Sequence, residues 1–268
     1  MSAVLEERPL SRTVEQLLET VSASRISCWL QCRLRFYFRY LSGIQKPKSA
    51  ALVVGSAVHL VLKYWNQSRW SGKSPSLKEF HDRFSDAWLE EQKTPVKWEV
   101  GQEEEQKKTG WRLFETYQRE YPIPSDEKPE AVEVKAEIDL RSKGLPKLIG
   151  VIDLVRPGHR IIDYKTIGQT PDPEKVRHTT EVQTSTYSLL YRDATGNQET
   201  AIELHHLVKT KSPKLVVVPV GSMTANQETR LYRVMESYVE GLQREDFVPS
   251  PSMQCASCEF FNECRGWS

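Results

Sequence analysis

Apolar positions recur at helical spacing from Ser22 to Leu41, with Ser22 and Ser24 as capping residues, and this predicts an amphipathic helix broken by Gly43 and Pro47. A second helix is predicted from about Val54 to Trp65, which sets Gly55 and His59 one turn apart on the same face. From Glu79 to Tyr121 the chain is acidic and lacks strand alternation. Phe80, Phe84, Trp88, Trp111, Phe114 and Tyr117 fall at helix-like intervals there, and a helical lobe over 79–125 is expected. The pattern then switches. Between Ala131 and Leu140, Val134, Ala136, Ile138 and Leu140 alternate with Glu133, Lys135, Glu137 and Asp139, as in a half-buried strand. Lys147 to Val155 and Arg160 to Lys165 read as two strands of a hairpin turning at Pro157-Gly158. Glu174 to Tyr191 reads as a helix, Ala201 to Lys209 and Leu215 to Val220 as strands, and Asn226 to Arg244 as a helix. From Pro249 the chain is rich in Pro and Cys. The succession of elements is that of an α/β domain.

At 268 residues the chain suits one sizeable domain with an appendage, and 7 Trp, 10 Tyr and 8 Phe supply bulky core groups. Residues 1–20 read as an N-terminal extension ahead of a single domain over 21–268. The opening residues carry Glu6, Glu7, Glu15 and Glu19 with no apolar run of the signal-peptide type, and no stretch is long enough to span a bilayer. A cytoplasmic location is therefore the expectation, and in that compartment clustered cysteines hold metal more often than they form disulfides.

A formal net charge of +1 conceals segregation: Val21 to Lys78 contains no Asp or Glu. Arg25, Arg33, Arg35, Arg39, Lys46, Lys48, Lys63, Arg69, Lys73 and Lys78 are interleaved there with Trp29, Phe36, Tyr37, Phe38, Tyr40, Tyr64 and Trp65. Cations that track phosphates and rings that stack on bases would suit a single strand of nucleic acid. A solvated helix face whose aromatics point into the core accounts for the same residues.

In the predicted hairpin Asp153 and Asp163 fall nearly opposite one another, within one residue of register, so their carboxylates can share an ion. Asp163 and Lys165, two apart on a strand, emerge on one face, and Tyr164 points the other way. Mg2+ or Mn2+ prefers hard oxygen ligands, which two carboxylates, a backbone carbonyl and waters supply, with His59 as a minor nitrogen ligand. Lys165 would position an attacking water or stabilise developing negative charge. The competing reading is a structural ion pair at a sheet edge. Against it stand Ile161, Ile162 and Tyr164, which make the strand look buried, where unpaired charge is costly. Gln183 and Tyr187 sit one helical turn apart.

In order along the chain, Gly55-x-x-x-His59, Gly150-x-x-Asp153, Ile162-Asp163-Tyr164-Lys165-Thr166 and Gln183-x-x-x-Tyr187 resemble the successive motifs of RecB-like nucleases of the PD-(D/E)XK superfamily, over about Ser22 to Cys264. The resemblance implies a restriction-endonuclease-like core, a central mixed sheet flanked by helices, with a helical lobe and a cysteine-stapled C-terminal tail over 249–268. It implies that His59, Asp153, Asp163 and the Tyr164 carbonyl bind Mg2+ or Mn2+, that Lys165 is catalytic, and that Gln183 and Tyr187 orient substrate or the site.

Cys255, Cys258 and Cys264 form a C-x2-C-x5-C array, and Cys32 lies far upstream. AddB-type and CRISPR-adaptation nucleases show a similar split of one early and three late cysteines, which implies a [4Fe-4S] cluster on Cys32, Cys255, Cys258 and Cys264. The family's usual cysteine-proline pair aligns with Cys32-Arg33, without the proline. Cys28, one turn earlier, is an alternative ligand, and tetrahedral Zn2+ would accept the same four thiolates. The function this predicts is a metal-dependent DNA exonuclease acting on single-stranded or unwound ends, with a lean to 5′ ends. A non-cleaving nucleic-acid-binding subunit of a helicase, recombination or CRISPR assembly is the alternative.

Overall fold

A computed structural model describes residues 11–124 and 126–267, so Met1 to Leu10, with Glu6 and Glu7, lie outside the described residues. The chain forms two compact units, one from residues 1–46, 137–150 and 225–268, the other from 47–136 and 151–224. The helices are α1 (Val14–Glu19), α2 (Ala23–Gln31), α3 (Arg33–Phe36, continued by a π-helical turn Tyr37–Leu41), α4 (Ala50–Trp70), α5 (Leu77–Glu91), α6 (Gln102–Glu120), α7 (Pro173–Thr179), α8 (Glu181–Thr195), α9 (Ala225–Gln243) and α10 (Phe261–Arg265). The strands are β1 (Thr20–Val21), β2 (Lys48–Ser49), β3 (Val96–Lys97), β4 (Ala131–Ile138), β5 (Lys147–Arg156), β6 (Arg160–Ile167), β7 (Ala201–Val208) and β8 (Lys214–Pro219). The sheet is mixed, as expected for the α/β class. In the second unit β5 pairs antiparallel with β6, β6 parallel with β7, and β7 antiparallel with β8.

That unit is built around α4. Ser49 caps it by accepting the N–H of Leu52, and its stripe of Val53, Val54, Ala57, Val58, Val61 and Leu62 is fully buried. Phe80, Phe84 and Trp88 of α5 and Leu113, Phe114 and Tyr117 of α6, from the region predicted as a helical lobe, pack in the same cluster as the strand residues Leu154, Ile162, Tyr164 and Leu207. The helix predicted over Val54 to Trp65 extends at both ends. Late in it, Asn66 and Ser68 hydrogen-bond back to the carbonyls of Leu62 and Tyr64, four residues earlier, so these polar side chains stay satisfied within the helix.

Two predicted helices are interrupted. The Ser22–Leu41 helix breaks at Cys32, whose backbone is extended. Cys32 ends α2 and caps α3, its sulfur accepting the Arg35 N–H, while the Leu34 N–H donates to the Val248 carbonyl. The break thus costs few unmet backbone groups. Glu174–Tyr191 is likewise two helices, α7 and α8, parted at Thr180. The alternation expected from Ala131 is disturbed at Glu133, which takes a positive φ of 52°.

Of the two readings of Val21 to Lys78, the structure bears on the one that turns the aromatics inward. Trp29, Phe36 and Phe38 are core residues. Within the first unit Arg25 is buried and donates to the Thr20 carbonyl and hydroxyl, Arg33 pairs with Asp246, Arg35 and Arg39 with Glu259, and Lys46 with Glu263. Within the second, Lys48 pairs with Glu91, Lys63 with Glu133, Arg69 with Glu127 and Lys78 with Asp82. Acids outside the stretch, most of them remote in sequence, pair with most of its cations. Among the described residues, no helix is long and apolar enough to cross a membrane.

Candidate active site

The ladder between β5 and β6 runs from Arg156↔Arg160 to Leu154↔Ile162. One step further along this register, Asp153 faces Asp163, in agreement with the expected juxtaposition. Here the carboxylate replaces the ladder: Asp153 Oδ2 accepts the Tyr164 N–H at 3.0 Å. A residue's N–H and C=O project to the same edge of a strand, so the Tyr164 carbonyl also faces β5, beyond the last ladder pair.

Asp163 is 1% exposed. Its Oδ1 accepts from the Tyr187 hydroxyl at 3.0 Å and the Gln183 amide at 3.1 Å, and that amide also donates to the Tyr187 oxygen at 2.7 Å. The one-turn spacing of Gln183 and Tyr187 on α8 delivers both donors to a single oxygen. Oδ2 is buried and makes no aligned hydrogen bond; its neighbour is the Lys165 ammonium, 2.6 Å away. His59, one turn after Gly55 on α4, places Nδ1 3.5 Å from Asp153 Oδ2. Gly55 explains how the helix comes so near, since a Cβ there would stand 3.0 Å from Thr166 Oγ1 on β6. His59, Asp153, Asp163, Tyr164, Lys165, Gln183 and Tyr187 are therefore brought together in one unit.

The electrostatics are those of two acids forced together out of water. Burial, and then the charge of Asp163, push the Asp153 carboxyl up to about 6, against the opposing pull of His59, the Tyr164 N–H and Lys165. Burial, reinforced by the charge of Asp163, raises Tyr187 well above the usual phenol range, so it stays protonated and donates. A buried carboxylate oxygen without an aligned donor beside a second carboxylate is a donor set suited to a hard divalent cation. Among the described residues, no three His, Cys, Asp or Glu side chains are gathered tightly enough to enclose an ion. A cation at Asp163 Oδ2 would displace the Lys165 ammonium from its present contact.

Sequence reasoning overlooked two supports. His206 is buried, lies level with Lys165 in the β6–β7 register and feels the charges of Asp163 and Lys165; burial lowers its pKa. The Tyr164 side chain, turned away from Asp163 as predicted, is fixed by its hydroxyl, which accepts from Asn66 of α4 at 3.0 Å. The tandem His205-His206 within a predicted strand was the available signal for the first. Asn66 had none, because its role depends on a contact 98 residues away.

In the first unit Cys32, Cys255, Cys258 and Cys264 line one cavity, with Leu34, Phe38 and Phe260 as apolar walls. Burial, and then proximity to Cys32, Cys258 and Cys255, raise the Cys264 thiol. Cys28 is buried and does not line this cavity. All five cysteines are free thiols.

The profile of the PD-(D/E)XK nuclease superfamily matches residues 20–265. A search of curated proteins gives no significant match. Among solved structures, the chain is similar to an Eubacterium rectale protein provisionally described as an exonuclease, at 17% identity and a TM-score of 0.59, over 100% of this chain and 94% of that one. At that identity the likeness speaks for the fold. SSO0001 is a more distant structural match, at 13% identity and a TM-score of 0.37, over 87% of this chain and 91% of the other.

Proposed function

Because the chain belongs to the PD-(D/E)XK nuclease superfamily and is thus a nuclease by family, we propose that it is a Mg2+- or Mn2+-dependent DNA exonuclease. In this reading residues 21–268 act as one nuclease domain in the cytoplasm and degrade single-stranded or unwound DNA, with 5′ ends as the preferred start. Asp163 carries the reading. Its Oδ1 is locked by Gln183 and Tyr187, and its buried Oδ2 is paired with the Lys165 ammonium. A second carboxylate, Asp153, shares this buried site and is raised by burial and then by the Asp163 charge, a pairing that a cation would relieve.

Asp153, Asp163, His59 and the Tyr164 carbonyl would hold the cation, which supplies Lewis-acid polarisation of the scissile phosphate and an attacking hydroxide at neutral pH. Lys165, freed from Asp163, would orient the nucleophile or meet the charge that develops on the phosphate. Gln183 and Tyr187 hold Asp163 in one orientation, so the carboxylate itself need not turn when the cation arrives, and only Lys165 moves.

Cys32, Cys255, Cys258 and Cys264, which line one cavity, are proposed to take a [4Fe-4S] cluster on drawing together. Its role would be to tie residues distant in sequence together. Iron and sulfide analysis after anaerobic purification checks it; colourless protein carrying zinc would replace the cluster with Zn2+.

The decisive assay is cleavage of end-labelled single-stranded DNA with Mg2+ or Mn2+, beside a closed circle of the same strand. Wild-type protein is expected to shorten the linear strand and spare the circle, and Asp163→Ala is expected to lose about 10³-fold or more in rate. Folded wild-type protein with its cysteine site filled, inactive with both metals, would favour a non-cleaving subunit of a helicase, recombination or CRISPR assembly. Cleavage of circles would remove the exonuclease assignment and leave a nuclease.

A further inference from the structure

A polar cavity of about 460 Å³ lies in the second unit, walled by one face of α6, by Gly168 just after β6, and by Lys209 and Lys211 just after β7. We propose that it receives a backbone phosphate of the DNA strand whose neighbouring phosphodiester lies at Lys165; this rests on the nuclease reading above.

Charge is the first observation. Arg112, Lys209 and Lys211 line the cavity against a single carboxylate, Glu105, and among the described residues none of the three cations forms an ion pair. In the sequence from Val21 to Lys78, by contrast, cation after cation is paired with a carboxylate. An exposed lysine without a counter-ion is ordinary. Lys209 is not fully exposed: it is half-buried, and its pKa is lowered by burial with no compensating carboxylate. A half-desolvated ammonium costs free energy that an anion entering the cavity would offset.

Geometry is the second. The Lys209 N–H donates to the Ile167 carbonyl at 2.7 Å, so the residue is fixed to the end of β6. Arg112 donates through Nη2 to the Lys211 carbonyl at 2.9 Å, which ties the β7–β8 loop to α6 and leaves its remaining N–H groups free to face an anion. Gly168 presents no side chain on that wall.

Position is the third. Lys165 and Gly168 are three residues apart at the end of one strand, on the order of 10 Å along the backbone. In this proposal one DNA strand passes from Lys165 around the end of β6 to the cavity, outside the acidic site. A phosphodiester of the same strand fits both the charge and the distance.

The test is fluorescence anisotropy of a labelled single-stranded oligonucleotide in Ca2+ buffer, so that binding is read apart from cleavage, over a series of monovalent salt concentrations. If two phosphate contacts are lost, Lys209→Gln with Lys211→Gln should bind about 25-fold more weakly at 0.1 M salt and lose about 1.4 from the log–log salt slope. Arginine at both positions should restore the slope. Lys175→Gln, on an exposed residue paired with Asp172, should leave it unchanged. Should the double variant melt abnormally, Lys211→Glu on the exposed loop replaces it, with a loss of at least about 5-fold expected.

Wild-type affinity and slope in these variants would overturn the cavity as a phosphate subsite while leaving a nuclease whose Asp163 variant is dead. Wild-type protein that neither binds nor cleaves the oligonucleotide would remove both. Inorganic phosphate that raises the melting temperature of wild type but not of the double variant, with oligonucleotide binding unchanged, would assign the cavity to a free anion and overturn the strand.

Discussion

At the scale of single residues, the site is governed by Asp153, an acid that resists charge. Asp153 is raised to about 6 by burial and by Asp163. A carboxyl whose folded pKa exceeds its unfolded value stabilises the fold fully below the unfolded value, and that contribution is lost as pH rises through about 6. Without metal, Asp153→Asn should therefore raise stability at pH 7.5 by about 2 kcal/mol and have little effect at pH 4, as read from urea midpoints in EDTA. Protons should also compete with the cation as pH falls below about 6, which calorimetric titration of Mn2+ at pH 5.5 and 7.5 would show as weaker binding at the lower value. Gly55 makes a second residue-scale point. Gly55→Val should cost about 1–3 kcal/mol by crowding Thr166, and Thr166→Ala should recover part of the loss in a double-mutant cycle. Additive costs would mean that the strain is relieved elsewhere.

At the scale of elements, periodicity made α4, α6, α9 and the β5–β6 hairpin readable, because each shows an unbroken apolar stripe or alternation over several turns or pairs. The paired acids were readable for the same reason: alternation fixes which side chains share a face before any contact is known. Cys32 and Thr180 were not readable as breaks. At Cys32 the interruption is compensated by the Val248 carbonyl, more than 200 residues away, and no local pattern encodes such a partner. The ion pairs of the basic-aromatic stretch were not readable either, since Asp246, Glu259 and Glu263 pair with Arg33, Arg35, Arg39 and Lys46 from the far end of the sequence. Helix α9 offers a test of packing within its unit. A Cβ on Gly241 would stand 2.3 Å from Trp29 Cζ2, and a ring clamped among Phe36, Tyr238 and Phe247 has little room to retreat. Gly241→Ala should accordingly cost about 2–3 kcal/mol, visible as a lower denaturation midpoint.

For the molecule as a whole, if the proposed cluster binds the cysteines, the two units should respond differently to its loss. Hydrogen exchange after chelation should quicken in residues 23–41 and 253–265, around the thiols, while α4 and β6 keep their protection. Equal acceleration in both would show that the cysteine site stabilises the entire chain. The first unit is also discontinuous, drawing on three separate segments, whereas the second closes once residue 224 is made. On a ribosome adding 5–20 residues per second, the nuclease residues would thus be assembled while α2 and α3 still lack Phe247, Phe260 and three of the four thiols. For those seconds Cys32 and the flanking aromatics have only one another as native partners, and they are where a chaperone would find its earliest foothold on the nascent polypeptide.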